Sequence, residues 1–426
     1  MGQPFAKTMN IVDNMLKPGL ELAKTSDGPY AHLQVAMLKN MIRRYSDVAA
    51  AMTDENRKVA LYEFGLAPQL FFAFDCAPLC LEMYPMFFTQ ADEKGTQDYI
   101  DSAEEAGIPS EVCSTDRFVA GLALDGEMPV NSFFVTCSAP CDGTRILYPL
   151  MQKVMEIPCC YIETPHAEDS DTAKWYGQQI KKQLIPFLEE HTGKKFDIDR
   201  FREIVEASNA AYELIVDMYD MYALTPAPHS SQLRSLPWSF FLTSAGHPEL
   251  IDTLEVFHQD LTERVKTNRL QEGYQEKHRV MWVHVPPSFD PGIYQWMEQQ
   301  CGATMISHSL SSTPILKPID TTNLDTMLEG YAAQGLDMTM SIMRFTTPKM
   351  IDFSLQAYYK YNCDCIFVTQ HVGCNNICGV SGLLRETLRE KEIPALFIDM
   401  DYNDSRILSS EAMKQQIEEF FDTVME

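Results

Sequence analysis

Three cysteine pairs in this chain share one spacing, Cys-x3-Cys: Cys76/Cys80, Cys137/Cys141 and Cys374/Cys378. Thiolate sulfur is a soft ligand that suits iron–sulfur clusters and zinc. The spacing departs from two common templates. A structural zinc module uses tighter Cys-x2-Cys pairs. A radical S-adenosylmethionine loop needs a third cysteine where Thr144 and Ser381 stand. Cys113 is isolated in Glu111-Val-Cys-Ser-Thr-Asp-Arg117. Ser114 and Asp116 suit a first helical turn, and a thiol near a helix N-terminus is drawn toward the thiolate. His371 precedes Cys374, and beside a metal centre it becomes a candidate proton donor, because its ordinary pKa lies near working pH. Asp399, Asp401, Asp404 and Arg406 follow the last apolar run, either with a functional role or as a solvated, self-paired loop.

Two of the pairs sit in matching surroundings. Phe134-Val135-Thr136-Cys137-Ser-Ala-Pro-Cys141 leads into a helical stretch and then Ile157-Pro158 and an apolar run. Phe367-Val368-Thr369-Gln-His371-Val-Gly-Cys374-Asn-Asn-Ile-Cys378 leads into another and then Ile393-Pro394 and a second apolar run. Each reads as strand, cysteine loop, amphipathic helix, strand: a βαβ unit with thiols at the carboxyl end of its first strand, the edge where open parallel sheets bind ligands.

The pattern predicts a helical segment over 1–56, a first α/β lobe over 57–168, a helical bridge over 169–277 and a second α/β lobe over 278–426. Strands are expected at Lys58–Phe64, Pro78–Tyr84, Ser132–Cys137 and Cys160–Thr164, then at Arg279–Val285, Thr304–His308, Cys365–Thr369 and Ala395–Asp401. The bridge carries helices near Trp175–His191 and Asp197–Met221, with Gly193 stopping one and Asp197 capping the next. Pro226-Ala-Pro-His marks a break. Two open parallel sheets would place a cysteine-lined cleft, and any cluster in it, between the lobes.

Composition narrows the options. Hydrophobic content of 45% and charged content of 22% suit a soluble globular chain. The formal charge of −26 and pI near 4.7 disfavour nucleic acid, whose phosphates would be repelled. No apolar run has membrane-spanning length. The opening Met1-Gly-Gln-Pro-Phe-Ala-Lys lacks the apolar core of a secretory leader and has Ala6 where myristoylation wants Ser or Thr. A reducing cytoplasm is therefore expected, where cysteines serve metals or catalysis more often than disulfides. Cys159, Cys160, Cys301 and Cys363 lie in or beside apolar stretches and read as small core residues. No Walker A or Gly-x-Gly-x-x-Gly sequence occurs, so a nucleotide-driven step would use a partner chain.

Taken as an ordered set, these segments resemble the 2-hydroxyacyl-CoA dehydratase/benzoyl-CoA reductase family. The resemblance rests on Val112-Cys113-Ser-Thr, Ser-Ala-Pro-Cys141, His371-Val-Gly-Cys374, Ile393-Pro394 and Asp399-Met-Asp-Tyr-Asn-Asp-Ser-Arg406. It also rests on Gly193-Lys-Lys-Phe-Asp-Ile-Asp-Arg200 and Pro226-Ala-Pro, and runs from about Leu61 to the C-terminus. It implies two flavodoxin-like lobes with a 4Fe–4S cluster between them, held by Cys113, Cys141 and Cys374. The spare thiols Cys76, Cys80, Cys137 and Cys378 could be inert, replace a ligand or support a double-cubane cluster. The resemblance further implies an oxygen-sensitive acyl-CoA enzyme using ketyl-radical chemistry. Its partners would be a homologous second subunit and a separate ATP-hydrolysing iron–sulfur activator. Ala106-Gly-Ile-Pro-Ser-Glu111 and Phe196-Asp-Ile-Asp-Arg200 lean toward benzoyl-CoA reductase. The alternatives are a 2-hydroxyacyl-CoA dehydratase subunit, and a non-catalytic electron-transfer or scaffold subunit.

Overall fold

The structure, a computed structural model, describes residues 3–63, 65–91, 95–139, 141–165, 169–269, 273–308, 317–337 and 347–425. Phe64, at the end of the first expected strand, and residues 166–168, at the expected end of the first lobe, lie outside them.

Short apolar runs form eight parallel strands in two sheets. The first holds β1 (Val59–Tyr62), β2 (Ala77–Cys80), β3 (Ser132–Cys137) and β4 (Cys159–Ile162), in the order β2-β1-β3-β4. The second holds β5 (His278–Val283), β6 (Ala303–His308), β7 (Cys365–His371) and β8 (Ala395–Met400), in the order β6-β5-β7-β8. The expected mixed α/β architecture with two parallel-sheet lobes is thus present, and both lobes use one strand order. The strand expected over Pro78–Tyr84 stops at Cys80, and a helix begins at Tyr84.

The pleat explains why the strands are apolar on both faces. Val59 and Leu61 turn to one side, where they share a core with Phe5, Tyr45, Val48 and Phe118. The N-terminal helices are therefore part of the first lobe's packing. Ala60 and Tyr62 turn the other way, into a large core that also takes Phe201 and Trp238 of the bridge and Met281, Val283, Ile366 and Val368 of the second sheet. The outer face of that sheet, with Val280, Trp282 and Phe367, packs on Met413, Ile417 and Phe420 of the C-terminal helix. In the bridge, Asp197 caps the helix Ile198–Met221 by accepting from the Asp199 and Arg200 amides, and Gly193 ends the preceding helix at φ 71°.

Candidate metal centre between the lobes

In a 2-1-3-4 sheet the connections from β1 and β3 leave on opposite sides, which opens a crevice at their carboxyl ends. This chain has two such crevices. Glu63 follows β1, and Cys137 ends β3 with Cys141 in the loop beyond. His284 follows β5, and His371 ends β7 with Cys374 beyond.

Cys113, Cys141 and Cys374 occupy equivalent places in three helices. Each is the residue before the first turn: Cys113 of Ser114–Leu124, Cys141 of Asp142–Met155, Cys374 of Asn375–Glu390. Helix N-termini present unpaired N–H groups and positive potential, which stabilise thiolates. The Thr115 amide donates to the Cys113 sulfur. All three residues are part-exposed. Charge on Cys374 acts on Cys113, and charge on Cys113 acts on Cys141, so the structure brings them into one neighbourhood. The lobes touch through backbone here. A Cβ added to Gly373 would lie 2.6 Å from the Cys113 Cα, so a glycine permits the approach.

His371 joins this group. Its Nε2 is 3.2 Å from the Cys113 Sγ, its Nδ1 is 3.9 Å from Asp401, and burial lowers its pKa. Asp401 in turn accepts from Arg117 at 3.1 Å. Arg117 is 1% exposed; it also donates to the Val112 carbonyl at 2.9 Å and pairs with Glu104 and Asp404. One guanidinium thus clamps the first lobe to the loop after β8. Of the acidic residues expected there, Asp401 and Asp404 are buried and Arg406 pairs with Asp404 and Glu104.

The spare thiols are placed differently. Cys76 lies at the amino end of β2, opposite the crevice, in the core; burial pushes it to about 12. Cys80 and Cys137 are buried beside carboxylates, Cys80 3.6 Å from Glu82 and Cys137 3.6 Å from Glu63. Cys378 is exposed one turn after Cys374, its sulfur 3.3 Å from the His371 carbonyl.

Several residues here escaped sequence reasoning. Glu63 accepts from Thr136 at 2.8 Å, from the Cys137 amide at 3.1 Å and from Thr144 at 3.3 Å. Tyr148 donates to Glu82. Burial, then the Glu82 charge, lift Glu63 well above the carboxylate range and Asp116 to about 8. No Lys or Arg forms an ion pair with Glu63 or Asp116 among the described residues. His284 stands in the left-handed region at φ 70°, its ring 5.9 Å from that of His371; burial and that neighbour push it to about 3. His308 closes β6 and is held near 3 by burial. A histidine ending an apolar strand, or an acid directly after one, was the available signal.

The residues fit an iron–sulfur cluster. Burial, and next the charge of Asp116 or Glu63, keeps Cys113 and Cys141 protonated in the bare protein, so a bound cationic centre would supply the charge that this acidic pocket lacks. Among the described residues no three His, Cys, Asp or Glu side chains converge as a single-ion shell. Each cysteine of a cluster ligates its own iron, which allows a wider spread.

The family model for the 2-hydroxyglutaryl-CoA dehydratase D-component matches residues 66–424. One of the subunits of benzoyl-CoA reductase from Thauera aromatica is 22% identical over 76% of this chain and 78% of its own length. The (R)-2-hydroxyisocaproyl-CoA dehydratase alpha subunit of Clostridioides difficile is 20% identical over 79% and 83%. The (R)-phenyllactyl-CoA dehydratase alpha subunit of Clostridium sporogenes is 24% identical over 74% and 77%. No helix among the described residues is long and apolar enough to cross a membrane.

Proposed function

Because the chain belongs to the 2-hydroxyglutaryl-CoA dehydratase D-component family, whose members are subunits of acyl-CoA enzymes, we propose that it is the iron–sulfur subunit of such an enzyme, fed by an ATP-hydrolysing activator and paired with a homologous second subunit. The observation that carries this reading is the set of thiols at three helix N-termini beside the two crevices.

Cys113, Cys141 and Cys374 would hold a 4Fe–4S cluster. The cluster would supply one-electron chemistry to a thioester-bound acyl group. The His371 Nε2, 3.2 Å from the Cys113 sulfur, is placed to share a proton with it. Asp401, anchored by Arg117, lies 3.9 Å from the other ring nitrogen of His371. Glu63, Asp116 and His284 are buried groups able to hold or pass protons near the reacting acyl group. Cys76 stays in the core as a small apolar residue.

Aromatic acyl-CoA reduction is the favoured reaction, supported by the Ala106–Glu111 and Phe196–Arg200 segments. Dehydration of a 2-hydroxyacyl-CoA is the second reading, supported by matches of similar reach to two dehydratase alpha subunits. Purified anaerobically, the chain should carry about four irons and matching acid-labile sulfide, and about eight would mean a double cubane. Cys113→Ala, Cys141→Ala and Cys374→Ala should each lose most of that iron, and Cys76→Ala should retain it. Full iron in all three single variants would refute the ligand set. The complex with its activator, offered benzoyl-CoA and a 2-hydroxyacyl-CoA separately, then separates reduction from dehydration.

A further inference from the structure

A cavity of about 310 Å³ lies beside the crevices, where the N-terminal helix Ala31–Thr53, the bridge helix Ser231–Ser244 and the segments after β2 and β5 meet. Its size is that of a small-molecule site. Four methionines line it, Met37, Met41, Met83 and Met86, together with the rings of Phe87 and Phe240. Thioethers are polarisable and conform to rings and branched chains, so a methionine-lined hole accepts several apolar shapes. The open side is polar: Gln90 and Gln232 are exposed there, and Arg44 is half-exposed. Arg44 rests 5.5 Å from the Tyr45 ring centroid and forms no ion pair among the described residues.

One part of its wall lies a single side-chain layer from Cys113. Met86 packs against Val285 and Tyr402, and the Tyr402 phenol feels the charge of Cys113. Ser288 on the cavity wall takes the Tyr402 carbonyl and the Asn403 side chain as partners. Asn403 donates to Ser114 and Thr115 at 3.2 and 2.9 Å, directly beside Cys113.

We infer that this cavity receives the apolar acyl group of the thioester, an aromatic or branched aliphatic chain rather than a dicarboxylic one, with Arg44 at its mouth facing the anionic tail. The inference rests on the acyl-CoA reading above and adds the substrate class and its seat. A carboxylate at the far end of the acyl chain would be stripped of water among thioethers and rings, while Arg44, the one cation of the lining among the described residues, is taken up by the anionic tail at the mouth.

Calorimetric titration of the iron-loaded chain with benzoyl-CoA, 4-methylpentanoyl-CoA, glutaryl-CoA and free CoA tests it. The first two should bind at least tenfold more tightly than free CoA, and glutaryl-CoA no more tightly. Ser239→Phe, which fills the cavity, should bring benzoyl-CoA down to the level of free CoA at unchanged iron content. Met41→Ala, which empties one wall, should weaken benzoyl-CoA several-fold; if Ser239→Phe fails to fold, this variant decides. Unchanged benzoyl-CoA affinity in the folded variants, or glutaryl-CoA bound as tightly as benzoyl-CoA, overturns the cavity assignment while leaving the acyl-CoA reading intact. A wild-type chain that binds no acyl-CoA better than CoA overturns both.

Discussion

Arg117 decides more at the residue scale than its place in the sequence suggests. It sits in the first turn of a helix that continues as the apolar run Phe118-Val-Ala-Gly-Leu-Ala-Leu124, with its charge 2% exposed and met by Asp401, 1% exposed, from the other lobe. Removing one member of a buried pair leaves the other charge unmatched, at a cost of about 3–5 kcal/mol. Arg117→Met should therefore lower urea stability by about that much. Under the proposed function it should also shift the His371 ring resonances, since Asp401 loses its anchor. An unchanged midpoint would show that Asp401 finds another partner. The thiols and His371 were legible because cysteine spacing and strand ends are local signals. Arg117 with Asp401, 284 positions apart, was not, because no local pattern reports which distant acid a buried cation meets.

Elements carry the second lesson. All eight strands appear where short apolar runs were bounded by turns, and Asp197 and Gly193 delimit their helices through cap chemistry that two or three residues encode. The N-terminal helices were legible as helices but not as part of the first lobe, because amphipathic spacing marks an apolar face without saying what covers it. One polar knot fastens them to the bridge. Asp260, on the helix Pro248–Thr267, accepts from His32 at 2.9 Å, from buried His229 at 2.7 Å and from Arg264 at 2.7 Å. Burial alone would raise the Asp260 pKa, but the hydrogen bonds from His229 and Arg264 outweigh it and hold it at about 2. A carboxyl held below its unfolded value of about 3.9 adds stability that is complete above that pH and fades as pH falls toward the folded value. Asp260→Asn should accordingly cost roughly 2 kcal/mol near neutrality, with the gap to wild type closing on acidification. Denaturant midpoints across the acid range measure it, and a gap that widens in acid contradicts the assignment.

For the molecule as a whole, the largest core is not divided between lobes. Inner-face residues of both sheets and bridge residues such as Trp238, 0% exposed and stacked on Phe241 at 5.2 Å, belong to one cluster. Melting one lobe would strip the inner face of the other. Calorimetry should thus give one cooperative transition despite 426 residues, and Trp238→Ala should displace it whole, by about 3–5 kcal/mol. Two resolved peaks, only one of them moved by that change, would show that the lobes melt independently.

The two crevices share a strand order but not a chemistry, and that difference has a stereochemical consequence. The first lobe brings Glu63, Glu82 and Asp116 to its edge, and the second brings His284, His308 and His371. An acyl group reaching from the methionine-lined cavity to the thiols would meet carboxyls on the side of the first lobe and imidazoles on the side of the second. Under the proposed function, the two faces of a trigonal carbon would then receive solvent-derived hydrogen unequally. Turnover in deuterium oxide would leave the label in one configuration, set by which lobe the face addresses.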